Sequence, residues 1–484
     1  MARISRPLHT FVRRLAKGLS YGAAVLVLPL TAGMVGLGAR MATVDHPSEP
    51  PAYSQSLPAT PSHDPGKRTA VILSSAFGAE ITDFLPPYEI LARSGAFNVY
   101  ALAPERKPVR LVNSNMQTTS LDFVPHFSFA EYDAIVGQAP DLIAIPWFPE
   151  YTPERDAAVL RWIRAHAGPN TTLLTICAGT EILADTGLLN GHSATTNTAW
   201  FSKLEPRFPT VTWVRGVRYH DDGAIITSSN LATGIDATLH AVDGLVGRSV
   251  ALDVARELGY RHTAYLDDAR FRSDPTMTGT GVAILNAAYR WQRPDLAVLL
   301  YDGVSETALA AIIDLYSSPY LARVQLTAAQ RGAIHSRNGL VFLPRTDFPS
   351  LARVDRAVLP GGDTTEGRYQ ARATWTAAHP DVLLDEMHRG VGRGESAYDA
   401  TLRDMARTHN SVIATAMGMA MFYAAEGTDL SSPGIPVAPV LTPIGLAMLG
   451  LAGAILIGRM ARPGERRVHW PGAAGLGAPR PSDN

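Results

Sequence analysis

The chain has 484 residues, 46% of them hydrophobic, with 43 Lys plus Arg against 44 Asp plus Glu and a single cysteine. That length allows two or three domains with ample core. The balanced charge leaves no electrostatic footprint for a nucleic-acid partner, and one cysteine excludes an intramolecular disulfide and any multi-cysteine metal site.

The first element in chain order is apolar. Residues 18–39 carry no charge, and residues 19–37 (LSYGAAVLVLPLTAGMVGL) are long enough to cross a hydrocarbon core of about 30 Å. Arg3, Arg6, Arg13, Arg14 and Lys17 precede this run, and only Arg40 follows closely. By the positive-inside rule, residues 1–17 are a cytoplasmic N-terminus and residues 18–39 a transmembrane helix. A cleaved signal peptide is the alternative, with residues 38–42 as a poor cleavage site. Residues 40–66 then form a linker, in which Pro47, Pro50, Pro51, Pro58, Pro61 and Pro65 keep the chain extended off the membrane.

A first globular unit covers residues 67–262. It opens with KRTAVILSSAFGAEITDFLPPYEILARSGAFNVYALAP (67–104), a strand, an acidic turn and a helix. Asp83 precedes an apolar helical run, the position of a helix N-cap, and Glu80 reads as solvated loop. In TLLTICAGTEI (172–182) a β-rich apolar run ends at Cys177; Ala178 and Gly179 follow, then a helical pattern. A strand that stops at a nucleophile and turns into a helix needs small neighbours and points the side chain off the sheet edge. The helix N-terminus beneath the sulfur would favour the thiolate. A lone buried cysteine acting as a small hydrophobe is the alternative. His220-Asp221-Asp222-Gly223 lies between two β-patterned runs and reads as a hairpin turn rather than a metal site. His192 reads as a surface turn, His240 as a helix residue, and His126 has no motif context.

Residues 263–293 are a polar linker followed by a helical segment, VAILNAAYRW (282–291). Residues 294–429 look like a worn copy of the first unit. RPDLAVLLYDGVSETALAAIIDLYS parallels RTAVILSSAFGAEITDFLPPYEILA, and RAVLPGGD parallels DLIAIPWF. SVIATAMGMAMFYAAEG (411–427) parallels the elbow, with Ala416 in the place of Cys177. The copy ends before the strands that follow the elbow, so its sheet edge must be covered, and the first unit is the expected cover in an intrachain pseudo-dimer. A homodimer of the whole chain stays open. Residues 430–458 are uncharged and include a second transmembrane helix at 437–458. Arg459, Arg462, Arg466 and Arg467 then place a cytoplasmic tail at 459–484.

The blocks at 67–104, 177–197 and 215–247 resemble the ThiJ/PfpI superfamily, with its class I glutamine-amidotransferase-like fold, over residues 67–262. The nearest variety is the amidase-like sensor domain of AraC-type regulators; no helix-turn-helix pattern follows it here. Isonitrile-hydratase-like and glyoxalase-like members share the scaffold. The resemblance implies an α/β chain of two flavodoxin-like layered domains, the second degenerate and truncated, between two transmembrane helices. It also implies that Asp83 sits beside Cys177 as a protonated acid hydrogen-bonded to the sulfur. Three positions depart from the family pattern. Asn197, in Ala194-Thr195-Thr196-Asn197, stands where a His is frequent, and Asn cannot act as a base near neutral pH. Trp147 stands where Pro-Gly-Gly usually exposes a backbone N–H to an oxyanion. Ala178 stands where isonitrile-hydratase-like members tend to carry Thr. Thr196, Asn197 and Ser229 would supply polar groups to the pocket. The resulting expectation is a membrane-tethered domain that binds or senses a small metabolite or electrophile at Cys177, with no cofactor and no metal. Its partners would be a small-molecule ligand and the lipid bilayer, not nucleic acid. A cysteine-dependent hydrolase, hydratase or glyoxalase-like enzyme, with Asp83 as proton donor, is the alternative; a structural scaffold is the third reading.

Overall fold

The computed structural model describes residues 5–42, 57–271, 278–318, 320–351, 353–362, 365–432 and 437–460. Most of the proline-rich linker, the tail with Arg462, Arg466 and Arg467, and Pro436 lie outside the described residues. The chain forms two compact units, one from residues 1–33 with 441–484 and one from residues 34–440.

After α1 (Ser5–Ala42) come β1 (Arg68–Leu73), β2 (Ala79–Glu80), α2 (Ile81–Arg93), β3 (Phe97–Ala103), the hairpin β4 (Val109–Val112) and β5 (Thr118–Val124), and β6 (Phe127–Ser128). Next are α3 (Phe129–Ile135), β7 (Leu142–Ile145), α4 (Ala157–His166), β8 (Thr172–Thr175), α5 (Gly179–Asp185), β9 (Ser193–Ala194), α6 (Phe201–Arg207) and β10 (Thr212–Trp213). The hairpin β11 (Tyr219–Asp221) and β12 (Ile225–Ser228), then α7 (Thr233–Leu245) and α8 (Arg248–Glu257), complete the first half. Past α9 (Thr278–Tyr289), the second half runs β13 (Asp295–Leu300), α10 (Glu306–Ser317), β14 (Arg323–Ala328), β15 (Ile334–His335), β16 (Val341–Pro344), β17 (Thr346–Asp347), β18 (Arg356–Val358), α11 (Glu366–Ala378), β19 (Leu384–Asp385), α12 (Ala397–Thr408) and α13 (Ser411–Ala420). The described chain closes on α14 (Val437–Met460).

The first half is built on a seven-stranded sheet in the order β11-β12-β8-β7-β1-β3-β6, parallel except for the β11–β12 hairpin. Its interior strand β1 is apolar from Ala70 to Leu73, where both of its faces are buried. The second half has a five-stranded parallel sheet in the order β17-β14-β13-β18-β19. Strand for strand this is the order β6-β3-β1-β7-β8, without partners for β12 and β11.

A third sheet, β15-β16-β5-β4-β2, takes strands from both halves and joins them where β5 meets β16 antiparallel. Across that seam Arg345 makes two hydrogen bonds, at 2.9 and 2.8 Å, to the buried Asp122 carboxylate. Helices α2 and α10 also meet at the joint. Glu89, the ninth residue of α2, accepts from Ser305 Oγ at 2.9 Å and Thr307 N–H at 2.7 Å. Asp314, the ninth residue of α10, accepts from Thr82 Oγ1 and, at 3.0 Å, from Ser114 N–H. Each helix thus offers a carboxylate to the first turn of the other, Glu89 to the Thr307 N–H of α10, which has no helical partner, and Asp314 to the Thr82 hydroxyl of α2.

Two expectations need correction. The halves join through β5–β16 and α2–α10, not through the edge strand β19. Residues 411–420 are the helix α13, so Ala416 is not at an elbow. The Asn410 side chain caps this segment by accepting from Ile413 N–H at 2.9 Å, and its Ala and Met residues are good helix formers, so the apolar run coils instead of extending. The strand that answers β8 is β19, and the turn after it carries His388 and Arg389. At the chain ends, Leu15–Ala39 and Val440–Met460 are each long and apolar enough to cross a membrane.

Candidate functional site

Cys177 sits between the end of β8 and the start of α5, with φ +55. A side chain other than glycine at Gly179 would collide with the Ile145 carbonyl, so α5 packs on the end of β7 only because residue 179 has no Cβ. This turn aims the thiol off the carboxyl edge of the sheet, where parallel α/β folds bind ligands.

Four segments converge on the sulfur. From the loop after β9, Asn197 Nδ2 donates to Cys177 Sγ at 3.2 Å and to Asn230 Oδ1 at 3.4 Å. Its neighbour Thr196 donates to the Cys177 carbonyl at 3.4 Å, and the Cys177 N–H donates to Ser228 Oγ at 3.4 Å. Ala178 is buried at the start of α5, and its N–H faces the sulfur. From α2, Glu80 and Asp83 bring two fully buried carboxyls. Trp147, beyond β7, gives its N–H to Asp83 Oδ2 at 3.1 Å and takes the Glu80 N–H on its carbonyl at 3.0 Å. Its ring packs edge-on against Trp200 at 5.9 Å. Ser229 is buried, with its hydroxyl unpartnered.

This arrangement differs from the sequence reading in three ways. Glu80, read as solvated loop, is the N-cap of α2, accepting the Asp83 N–H at 2.7 Å. The signal for this was present: Glu80 stands three residues before Asp83 at the head of an apolar helix, a capping spacing that carboxylates satisfy. Asp83 is not the cap, and it makes no hydrogen bond to the sulfur among the described residues; one oxygen holds the Trp147 N–H and the other meets no N–H or O–H donor. The thiol is not acidified. Burial pushes Cys177 well up, the Asp83 charge adds to this, and the Asn197 amide and Ala178 N–H oppose it. The magnitudes decide the sign. A helix N-terminus contributes about 0.3–1 kcal/mol, whereas full burial can move a pKa by as much as roughly 3–5, at about 1.4 kcal/mol for each tenfold change in the ionisation equilibrium.

The carboxyls follow the same logic. Burial raises Glu80 well above the usual range, and the charges of Asp314 and Asp83 raise it further. Burial also raises Asp83, the Trp147 N–H opposes, and the Asp314 charge adds to the rise. Asp314 reaches this cluster from α10, in the second half of the chain, so no local motif could have pointed to it. Tyr398, on α12, donates to Thr82 Oγ1 at 3.3 Å and closes the same side. Burial therefore favours the neutral forms of the thiol and of both carboxyls.

The remaining histidines lie elsewhere. His220 is in the β11–β12 hairpin, bonded to Ser193 Oγ at 2.7 Å, and His192 is bonded to Asp222 at 2.8 Å. His240, on α7, pairs with Asp221 at 2.7 Å. His126 is buried, accepts the Ala101 N–H at 3.0 Å and is pushed down to about 4 by burial. Among the described residues no group of three or more His, Cys, Asp or Glu is arranged to hold a metal.

Residues 68–243 match the model of the DJ-1/PfpI family. The chain carries a DJ-1/PfpI family domain. An isonitrile hydratase of Pseudomonas putida is 27% identical over 209 residues, a match covering 40% of this chain and 86% of that protein. Among solved structures, DJ-1beta of Drosophila melanogaster aligns at 20% identity and TM-score 0.33, over 39% of this chain and 96% of that one. An AraC family transcriptional regulator from Pseudomonas putida aligns at 18% identity and TM-score 0.31, over 39% of this chain and 97% of that one. Within the DJ-1/PfpI domain, β8 and α5 supply the cysteine, α2 the acids and the loop after β9 the amide.

Proposed function

We propose that the DJ-1/PfpI domain binds or senses a small electrophile at Cys177, without fast turnover, while α1 and α14 tether the chain to a membrane. One observation carries this reading: the Trp147 N–H, at the position where the family resemblance expects an oxyanion donor, is already bonded to Asp83. The sulfur, meanwhile, meets an amide instead of a base. A neutral thiol with no proton acceptor adds slowly to an electrophilic carbon, because the thiolate is the nucleophile. As the sulfur–carbon bond forms, Asp83 or Glu80 in its protonated form gives its proton to the heteroatom that gains charge, the carboxylate so formed takes the thiol proton, and the neutral adduct persists.

A second reading has its own support. Carboxyls held protonated beside a thiol are proton donors of the kind that addition of water to a small electrophile needs, and the similar Pseudomonas putida protein is an isonitrile hydratase. The test separates the two. The full chain is incubated with a small isonitrile and with an α-oxoaldehyde, and adduct and product are both measured. Stoichiometric labelling of Cys177 with background turnover supports sensing, and the Asn197→His, Trp147→Gly double variant should then gain turnover. Robust turnover by the unmodified chain, lost in Cys177→Ala, would favour the hydratase reading.

Two features of organisation belong to the same proposal. Residues 294–429 are a degenerate second copy of residues 67–262, supported by the shared strand order and by the reciprocal α2 and α10 contacts. Both termini are cytoplasmic and the globular part extracytoplasmic, supported by the arginines flanking each apolar helix on one side. Reporter fusions at Arg40 and Pro436 should report the extracytoplasmic side, and one after Arg467 the cytoplasm.

A further inference from the structure

The second half holds a cavity of its own. It has a volume of about 260 Å³ and opens beyond β18, beside the N-terminus of α11. Arg368, Arg372, Arg389 and Arg393 line it, with Glu386 as the single carboxylate among the described lining residues. Arg368, Arg372 and Arg389 reach Glu386 at 2.9, 3.0 and 3.0 Å. Glu386 is thereby held ionised, its carboxyl lowered by these arginines against the opposing effect of burial. It gathers the guanidinium groups: among the described lining residues four positive charges face one negative charge.

Two donors are left over. The Arg368 side chain is only 11% exposed, and its buried Nε has no hydrogen-bond partner among the described residues. Arg393 makes no ion pair among the described residues. A buried guanidinium N–H without an acceptor is unfavourable, so an acceptor supplied from solution is favoured there.

The place is built rather than incidental. The cavity lies at the carboxyl edge of a parallel sheet, where β13 sends one neighbour, β14, to one side and β18 to the other; such switch points form ligand crevices. At the rim, Thr365 caps α11 by accepting the Arg368 N–H at 3.2 Å, so the first turn of a 13-residue helix presents its positive end to the cavity. A Cβ at Gly362 would lie 2.7 and 2.8 Å from the carbonyl oxygens of His388 and Val391. Glycine there lets the β18 loop seat on the segment that brings Arg389 and Arg393. Tyr369, 73% exposed, stands at the mouth as a face for an organic group.

We propose that this cavity binds a small phosphate monoester, its phosphate held by Arg368, Arg372 and Arg393 and the N-terminus of α11. Planar guanidinium forks match tetrahedral oxyanions through paired N–H···O bonds. The size excludes dinucleotides, since small-molecule pockets run from roughly 300 to 1,000 Å³ and this one falls just below that range. The ester comes either from a soluble metabolite or from a lipid headgroup, and the test distinguishes them.

Isothermal titration of the full chain in neutral detergent and chloride-free buffer measures binding of inorganic phosphate. Competition by glycerol phosphate and by short-chain phosphatidic acid follows. The proposal expects saturable one-site binding, weakened about tenfold or more in Arg372→Gln and in Arg393→Gln, as loss of a charge-assisted hydrogen bond implies. Arg393→Gln removes no ion pair among the described residues, so it keeps the fold, and Arg215→Gln is the distant control that should bind as the parent does. Displacement by glycerol phosphate identifies a soluble ester; displacement by phosphatidic acid alone identifies the headgroup. Absence of saturable binding at tens of millimolar, or unchanged binding in both arginine variants, overturns the proposal. Alkylation of Cys177 should stay at the parent rate throughout, so the result stands apart from the reading of the cysteine site.

Discussion

The turn after β8 and the turn after β19 occupy the same place in two sheets of the same strand order, yet their chemistry is opposite. In the first, Cys177 is enclosed by Asp83, Glu80 and an amide, and the backbone N–H of Trp147 is capped by Asp83. In the second, the Gly361 N–H is capped by His388 Nδ1 at 3.1 Å, which leaves the proton on Nε2 to meet Thr401 Oγ1 at 2.9 Å. Burial lowers His388 to about 3, so it stays neutral, and the polar chemistry moves outward to the arginine-lined cavity. One scaffold thus carries a buried acid–thiol cluster in one half and an open cationic cavity in the other. The fold positions both places, and the side chains alone decide what each can do.

The comparison depends on the two halves being held as one body, and the seam is where that can be broken hardest. Arg345→Ala would leave Asp122 as a buried charge without its partner. We expect a loss of about 3–5 kcal/mol, read as a shifted urea midpoint, and no separate transition for either half. Two resolved transitions would mean that the halves fold independently and that the seam is incidental.

The elbow itself is tested by Gly179→Ala. The added methyl collides with the Ile145 carbonyl, so β7 and α5 must separate, at about 1–3 kcal/mol. Gly361→Ala offers the parallel test in the second half, where φ is +74 and the nearest atom, the Tyr301 hydroxyl, lies 3.1 Å from the new Cβ. Backbone strain there should cost about 1–2 kcal/mol. Equal and negligible effects would show that neither turn is constrained.

A subtler difference lies in pH dependence. Glu80 in the folded chain titrates well above its ordinary value of 4.5. Between those two values the native state holds a proton that the unfolded state has lost, so stability falls as pH rises through that window. Glu80→Gln removes this dependence while keeping an acceptor for the Asp83 N–H. Its stability should therefore fall less steeply than the parent's above about pH 4.5, the two slopes differing by about 1.4 kcal/mol per pH unit across the window. Identical pH profiles would mean that Glu80 is ionised in the native state.

Much of the first half could be read before the structure. The apolar run ending at Cys177, the small residues after it and the Asn197 substitution are local signals, and local geometry fixes what they become. The apolar patterns of β13, α10 and β18 resemble those of β1, α2 and β7, which is why the second half reads as a copy of the first. The patterns misled where one run suits two states: residues 411–427 read as a second elbow turning at Ala416, and the Asn410 cap makes residues 411–420 a helix. Glu80 was missed because a buried carboxyl is rare enough that exposure is the sound expectation. Asp314 and the arginine cavity were out of reach because they arise from contacts between segments far apart in the chain. The acidity of Cys177 was misjudged for a related reason: the helix terminus is a sequence feature, whereas burial, the stronger effect, is a property of the whole fold.

The central claim is that Cys177 rests as a neutral thiol beside protonated carboxyls, and the pH dependence of its alkylation in the full chain tests this most directly. Limited access slows the reaction equally at every pH, so the shape of the profile reports the thiol and not its exposure. The account predicts slow modification at neutral pH, a rate still rising above the ordinary thiol value of about 8.5, and complete loss of labelling in Cys177→Ser. A rate that levels off below about pH 8.5 would show a thiolate stabilised by the site, contradict the neutral pair and return the cysteine to the role of a primed nucleophile.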